Sequence, residues 1–145
     1  MVKVLIKKLD PAVKIPTYKS LGASGMDLMA FLQHPIKLLP KSSCLVPTGL
    51  SVAFSEEYEI QIRPRSGLAA KNNISVLNTP GTIDSDYRGE IKIILFNHGN
   101  NEFIINNKDR IAQMILMPIH KMELEEVESL PKTLRDKGGF GSTGR

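Results

Sequence analysis

The chain has 145 residues, with 19 Lys or Arg against 15 Asp or Glu, which gives a formal net charge of +4. Hydrophobic residues make up 41% and charged residues 23%, a composition typical of one globular domain and not of a disordered or fibrous chain. No apolar run approaches the roughly 20 residues of a membrane-spanning helix, so we expect no membrane insertion. The single Cys44 excludes an internal disulfide framework, and the first ten residues lack the uninterrupted apolar stretch of a secretory signal. The cytoplasm is therefore the simplest location.

The positive charge is spread along the chain and not gathered into one block. Residues 1–20 hold five Lys, whereas residues 123–128 hold four Glu. A protein that binds a nucleic-acid duplex would present a continuous basic face, so we expect no nucleic-acid partner. The pattern suits a small anionic ligand held by a few Arg side chains, or simply a solvated surface.

Short β-type runs dominate the chain, and turn residues separate them at the spacing of a sandwich or barrel. Residues 58–63 alternate between apolar or aromatic and polar side chains, as does most of the run at 90–96, which is the pattern of half-buried strands. The predicted strands are Val2–Leu9, Ile36–Leu39, Leu50–Phe54, Tyr58–Arg63, Ile74–Leu77, Glu90–Phe96, Glu102–Ile105, Arg110–Ile119 and Met122–Val127. Only Ser66–Lys71 looks helical. These patterns predict an all-β fold.

The chain divides into a β domain over residues 1–131 and a glycine-rich arm over residues 132–145. The arm has no apolar periodicity, so alone it should be mobile, yet it contains an aromatic residue, Phe140, that needs a surface to dock on. Residues 139–144 formally match GxGxxG. No helix can follow the match, so it is not a dinucleotide-binding fingerprint.

Three stretches hold residues suited to phosphate chemistry. Arg65 lies where a strand gives way to the short helix, and Ser66 is the predicted N-cap of that helix, an arrangement that favours anions. One carboxylate of Asp84 and Asp86 is a candidate general base, and the other a candidate partner of Arg88. Asp27, beside Gly25, suits either a turn or a hydrated Mg²⁺. Capping, turn formation and surface charge are the structural alternatives for all three.

The order of five stretches resembles the five signature motifs of the trimeric deoxyuridine triphosphatase (dUTPase) family. They are Ala23–Ala30 (ASGMDLMA), Arg63–Lys71 (RPRSGLAAK), Asn78–Phe96 (NTPGTIDSDYRGEIKIILF), Asp109–Pro118 (DRIAQMILMP) and Arg135–Gly144 (RDKGGFGSTG). The resemblance implies a distorted jelly roll of the dUTPase-like β-clip type, with one short helix and a flexible C-terminal arm. It also implies Mg²⁺-assisted hydrolysis of dUTP to dUMP and pyrophosphate, which supplies dUMP for thymidylate synthesis and keeps uracil out of DNA.

The resemblance further implies a homotrimer whose active sites are each shared between subunits. One subunit would supply the first, second and fourth motifs, another the third motif, and the last the arm of residues 132–145, which would close the site.

The same resemblance assigns a role to each site residue. Asp84 would be the general base for the water that attacks the α-phosphate, and Tyr87 would pack against the deoxyribose and exclude a 2′-hydroxyl. The remaining expected contacts are Asn78 and the backbone of Gly81, Thr82 and Ile83 for uracil; Lys92 for the nucleoside pocket; Arg65, Ser66, Gly67 and Gln113 for the phosphates; Asp27 for Mg²⁺ through water; Arg135 for the γ-phosphate; and Phe140, Gly141, Ser142 and Thr143 for the lid.

Two residues depart from the family pattern. Asp136 follows Arg135 where the family usually has Gly, and Lys108 precedes Asp109 where it again usually has Gly. The first departure would weaken the grip on the γ-phosphate, and the second would alter only a turn. The alternatives to a dUTPase are a dCTP deaminase of the same fold, and a dUTPase-like module that binds a protein partner. The complete IDSDYRGE and GGFGSTG stretches favour the dUTPase over both.

Overall fold

A computed structural model describes residues 1–139 as a β-structure with one short helix. The elements in chain order are β1 (Leu5–Lys8), β2 (Met26–Met29), β3 (Ile36–Leu38), β4 (Ser43–Pro47), β5 (Leu50–Ala53), β6 (Tyr58–Arg63), α1 (Ser66–Asn72), β7 (Ile74–Val76), β8 (Gly81–Ile83), β9 (Lys92–Asn97), β10 (Phe103–Ile105) and β11 (Arg110–Pro118). This is the all-β, jelly-roll-like fold with one short helix that the sequence predicts.

The strands form four small antiparallel sheets. The largest has the order β2-β11-β6-β8, a second has the order β4-β9-β7, and two further pairs join β1 with β5 and β3 with β10. Neighbours within the sheets are distant in sequence, so nearly every pairing is long-range. The four-stranded sheet is the element that positions the candidate site.

One apolar core lies between the sheets. Ile60 and Ile62 of β6 point into it, as do Ile93 and Leu95 of β9, which confirms the alternation predicted for both strands. Burial of such side chains stabilises a fold by about 1.5–3 kcal/mol each. The core therefore fixes which face of β6 and β9 points inward. Gln61 of β6 and Ile94 of β9 lie on the opposite faces and are only partly buried.

One predicted strand is absent, and three observed strands were not predicted. Met122–Val127 is not a strand, because no other strand of the chain pairs with it among residues 1–139. The sequence analysis missed β2, β4 and β8, which are three to five residues long and have little apolar alternation. Tyr58–Arg63 was predicted with its observed bounds.

The helix α1 begins one residue earlier than its predicted cap requires. Arg65 is the N-cap residue, with an extended backbone, and makes no side-chain capping bond, while Ser66 is the first helical residue. The prediction of Ser66 as N-cap is therefore wrong. Asn73 ends the helix in the left-handed region, which Asn tolerates better than most residues.

Within residues 1–139, the one helix is far too short to cross a membrane.

Candidate functional site

Three elements meet where β6 ends. In the four-stranded sheet, Asp27 of β2 lies opposite Gln113 of β11, and Gln113 lies opposite Arg63 at the end of β6. Arg65 follows two residues later, at the start of α1. The register of three strands thus brings residues of the first, second and fourth stretches into one group, which we call the arginine cluster: Asp27, Arg65, Arg110 and Gln113.

A single carboxylate holds both guanidinium groups of the arginine cluster. Arg65 Nε donates to Asp27 Oδ1 across 2.8 Å, and Arg110 Nη1 donates to Asp27 Oδ2 across 3.1 Å. Arg65 Nη1 also donates to the carbonyl oxygen of Arg110 at 3.2 Å. Two guanidinium groups against one carboxylate leave a net positive charge, which favours binding of an anion at this edge.

Gln113 is fixed between β2 and β6. Its Nε2 donates to the carbonyl oxygen of Pro64 at 3.0 Å. A Cβ on Gly25 would stand 2.8 Å from Gln113 Oε1, closer than real Cβ contacts allow. Gly25 therefore leaves the room that the Gln113 side chain occupies. Ser66 and Gly67 lie beside this group, exposed in the first turn of α1, where backbone N–H groups have no partner within a helix.

A second group lies along β8 and β9, and we call it the hairpin pocket. It is a shallow depression of about 310 Å³ lined by Leu45, Thr82, Ile83, Asp84, Tyr87, Glu90, Lys92 and Ile94. Apolar walls with a few charged groups are typical of a small-molecule site. The carboxylate of Asp84 is exposed at the mouth of this pocket and also faces a neighbouring depression with Ser85 and Asp86.

The ring of Tyr87 is held in place by its own loop. Its hydroxyl donates to the carbonyl oxygen of Glu90 at 3.0 Å, and its backbone N–H donates to the carbonyl oxygen of Asp84 at 3.1 Å. A Cβ on Gly89 would come within 2.3 Å of the Tyr87 hydroxyl oxygen. Only glycine at position 89 allows the ring to lie where it does.

Asn78 and Gly81 lie at the start of β8. Gly81 is buried, and a Cβ there would meet Cβ of Ile62 at 3.2 Å and Nδ2 of Asn78 at 3.3 Å. Glycine thus lets β8 approach β6 closely, with Asn78 beside it.

The arginine cluster and the hairpin pocket lie at opposite ends of β6. Ile83 pairs with Ile60 near the start of that strand, which places Asp84 level with Glu59. Arg65 lies beyond the other end, six residues further along the chain. At about 3.3 Å per residue, the backbones at Asp84 and Arg65 are separated by roughly 20 Å. A single chain therefore does not bring Asp84 to the arginine cluster.

Two further predicted residues form hydrogen bonds within their own turns. Arg135 Nε donates to the carbonyl oxygen of Gly138 at 2.9 Å, within its own turn. Arg88 was expected to hold a carboxylate, but it donates to the carbonyl oxygens of Ser85 and Tyr87 instead, because its guanidinium folds back over the turn. Phe140, Gly141, Ser142 and Thr143 lie outside the described residues.

No role was predicted for Arg110 or Glu90. Arg110 belongs to the DRIAQ stretch, and its place in a family motif was a signal that it could belong to the site. Its contact with Asp27 spans 83 residues and depends on strand register. Glu90 Oε1 accepts from the backbone N–H of Gly49 at 2.8 Å, a contact that no local pattern indicates.

Titration and metal binding add two observations. Partial burial raises the pKa of the Cys44 thiol in β4, which favours its protonated form. Among residues 1–139, no three His, Cys, Asp or Glu side chains are grouped to hold a metal ion. Mg²⁺ fits this site only as an ion that takes few protein ligands and several from waters and phosphates.

The dUTPase family model matches residues 12–144. The chain belongs to the dUTPase family. Curated relatives named deoxyuridine 5′-triphosphate nucleotidohydrolase are similar over nearly the whole chain. The protein from Wolinella succinogenes is 54% identical over 99% of this chain and 95% of its own length. The protein from Bdellovibrio bacteriovorus is 53% identical over 98% of this chain and 96% of its own.

Solved dUTPases of lower identity share the fold. The dUTPase of Staphylococcus bacteriophage 80alpha with dUpNHpp superposes with a TM-score of 0.88 at 23% identity, and covers 99% of both chains. A dUTPase from phage phi11 of S. aureus, in which a structural Mg(II) ion is coordinated, gives a TM-score of 0.80 at 20% identity and covers 90% of this chain and 99% of its own. These likenesses confirm the dUTPase architecture of the chain.

Proposed function

We infer that this chain is a dUTP diphosphatase, which hydrolyses dUTP to dUMP and pyrophosphate. The observation that carries this inference is the hairpin pocket of a dUTPase-family chain, with Asp84 exposed at its mouth and Tyr87 fixed along its wall. Hydrolysis of dUTP supplies dUMP for thymidylate synthesis and keeps uracil out of DNA. The expected location is the cytoplasm.

Asp84 is the proposed general base. It accepts a proton from the water that attacks the α-phosphorus, and pyrophosphate leaves. A carboxylate is ionised at neutral pH, so it needs no special environment to act as a base. General-base catalysis of this kind contributes about 10²–10⁴-fold to the rate.

The walls of the hairpin pocket would select the nucleoside. The ring of Tyr87 packs against the deoxyribose and leaves no room for a 2′-hydroxyl. The carbonyl oxygen of Glu90 holds the Tyr87 hydroxyl, and Gly89 leaves space for the ring in this position. Asn78 and the backbone of Gly81, Thr82 and Ile83 would read the uracil edge. Lys92 lines the pocket together with Thr82 and Ile83. Close approach of β8 to β6 narrows the pocket against a 5-methyl group.

The arginine cluster would bind the triphosphate. Arg65, with Ser66 and Gly67 in the first turn of α1, holds phosphate oxygens, and Gln113 supports them from β11. Asp27 would contact Mg²⁺ through water, since its two Arg partners leave further lone pairs of the carboxylate free to accept. When bound, Mg²⁺ offsets the negative charge that develops on the phosphates.

In a homotrimer, the hairpin pocket of one subunit would meet the arginine cluster of another, so that each active site is shared between subunits. The separation of roughly 20 Å along β6 supports this arrangement, because Asp84 of one chain needs an arginine cluster from another. Apolar side chains between residues 122 and 134 also lie exposed in the single chain, as expected for a segment covered by a neighbour: Met122, Leu124, Leu130 and Leu134.

Residues 132–145 would form the arm that closes the site of a neighbouring subunit. In this proposal Arg135 holds the γ-phosphate, Phe140 covers the uracil, and Gly141, Ser142 and Thr143 complete the lid. Closure excludes water and strengthens the charged contacts. A chain that lacks residues 137–145 should keep its oligomeric state in size-exclusion chromatography but lose most of its turnover. Loss of the folded state on truncation would assign the arm a structural role instead.

Pyrophosphate release tests the proposal. Purified protein with Mg²⁺ receives dUTP, UTP, dTTP or dCTP in turn, and a parallel series contains EDTA. Release from dUTP alone, lowered by EDTA, is the expected result. Release from all four nucleotides would refute the proposed role of Tyr87, and formation of dUTP or dUMP from dCTP would favour the deaminase reading.

A further inference from the structure

Glu90 joins three parts of the molecule at the hairpin pocket. Its Oε1 accepts from the backbone N–H of Gly49 at 2.8 Å, and its Oε2 lies 3.7 Å from Nζ of Lys92. Its backbone carbonyl oxygen accepts from the hydroxyl of Tyr87 at 3.0 Å. The Glu90 side chain is only 21% exposed, whereas that of Lys92 is 46% exposed. The Glu90 side chain is thus fixed by its backbone contact, and Glu90 in turn holds the side chain of Lys92 in place.

We propose that Glu90 is a positioning residue of the hairpin pocket, which holds the Lys92 ammonium against the pocket wall and keeps its own backbone in place under the Tyr87 hydroxyl. This inference rests on the proposed function, since it concerns the affinity for the nucleoside of dUTP. Glu90 acts through Lys92 and Tyr87 and is not itself a catalytic residue.

The anchor of Glu90 lies outside the hairpin. Gly49 lies in the turn between β4 and β5 and has a φ of +68°. Leu50 follows Gly49 in the chain and Ile91 follows Glu90, and the backbone N–H of Ile91 donates to the carbonyl oxygen of Leu50 at 2.8 Å. Thr48 of the same turn donates from Oγ1 to the carbonyl oxygen of Ile91 at 2.6 Å and is buried. The side chain of Glu90 therefore ties Lys92 to a rigid part of the core. A Lys that is fixed at one position loses less freedom when the nucleoside binds.

Two substitutions separate the contacts of Glu90. Glu90→Gln keeps an oxygen for the Gly49 N–H but removes the charge that attracts Lys92. Glu90→Ala removes both, and so loosens the backbone under Tyr87 as well. The dissociation constant of dUpNHpp, measured by calorimetry with Mg²⁺, should rise about threefold to tenfold for Glu90→Gln, the range that a partly buried ion pair supports. Glu90→Ala should raise it further and also lower the preference for dUTP over UTP in turnover.

The Lys92→Met chain shows whether Glu90 acts through Lys92, because methionine has a side chain of similar length without the charge. If Glu90 acts through Lys92, Glu90→Gln should change the affinity no further in the Lys92→Met chain. The matched control is Glu102→Gln, which breaks an ion pair of 3.8 Å with Lys37, since neither of these two residues lines the pocket. That control should leave the dissociation constant unchanged.

The outcomes separate the two proposals. Provided that the parent chain binds dUpNHpp, two outcomes would overturn the positioning role. One is that Glu90→Gln changes the dissociation constant equally in the parent and in the Lys92→Met chain. The other is that Glu90→Gln leaves binding by the parent chain unchanged or makes it tighter. A parent chain that binds no dUpNHpp would overturn the proposed function itself, and this inference with it. A melting temperature of Glu90→Gln equal to that of the parent shows that any change of affinity is local.

Discussion

Arg65 donates a hydrogen bond from Nε to Oδ1 of Asp27 across 2.8 Å, and the other oxygen of the same carboxylate receives Arg110. The three side chains come from β2, the start of α1 and β11. These two hydrogen bonds therefore form only when the strands of the four-stranded sheet pair in the observed register. They also fix the group that we propose binds phosphates.

Replacement of Asp27 tests the arginine cluster. Asp27→Asn leaves two guanidinium groups without their carboxylate, and both side chains of the Asp27–Arg65 pair are mostly buried, so the free energy of unfolding should fall by about 1–3 kcal/mol. Affinity for dUTP should also fall, since Arg65 and Arg110 lose their common support. Urea denaturation and turnover measure the two effects. Glu56→Gln is the control, because its ion pair with Lys121 is largely exposed and should contribute nothing measurable.

Replacement of Asp84 tests the general base. Asp84→Asn should lower kcat about 10²–10⁴-fold while dUpNHpp still binds, because the amide cannot accept the proton from water. Asp86→Asn, two residues away on the same exposed loop, is the matched control and should retain nearly full turnover. Equal losses in both variants would mean that the loop needs its charge and not a base at position 84.

Gly89→Ala tests how the Tyr87 ring is held. The new Cβ would overlap the ring, so the ring must leave its position and the hydrogen bond to Glu90 must break. The ratio of kcat/KM for dUTP to that for UTP should fall about tenfold or more. Gly22→Ala is the control, since no atom lies within 4 Å of a Cβ placed there. A variant with unchanged discrimination would show that Tyr87 does not exclude the 2′-hydroxyl.

Both departures from the family pattern fall at residues with positive φ. Lys108 has φ +70° and Asp136 has φ +42°, and the resemblance led us to expect glycine at each position. Lys108→Gly should therefore raise the free energy of unfolding, by roughly 1 kcal/mol, because glycine adopts this backbone conformation without steric cost. The control is Lys7→Gly within β1, where loss of the side chain should destabilise the chain instead. Urea denaturation of both variants would show opposite signs.

The sequence predicts those parts of the fold that local patterns determine. Strand β6 was found with its observed bounds because apolar or aromatic and polar side chains alternate along all six residues. Strand β8 was missed because it has three residues, begins at Gly81 and follows a proline. The first four residues of Met122–Val127 alternate between apolar and polar side chains, yet a strand exists only where another strand pairs with it.

The site was predictable as a set of residues but not as an arrangement. Resemblance to five motifs gave Asp84, Tyr87 and Arg65, whereas no pattern in the chain shows that Asp84 and Arg65 lie at opposite ends of β6. The contacts of Arg110 and Glu90 join residues 83 and 41 positions apart, so they depend on tertiary structure alone. Roles of Phe140 and its neighbours stay predictions.

Complementation between two inactive chains tests the central claim, that each site combines Asp84 of one chain with the arginine cluster of another. Asp84→Asn and Arg65→Ala chains are each expected to be inactive. When they are unfolded together and refolded as mixed trimers, random assembly should give about a quarter of the sites an intact Asp84 and an intact Arg65. Turnover of dUTP should then recover to about a quarter of the parental value. Turnover no higher than the sum of the two separate variants would contradict the shared site.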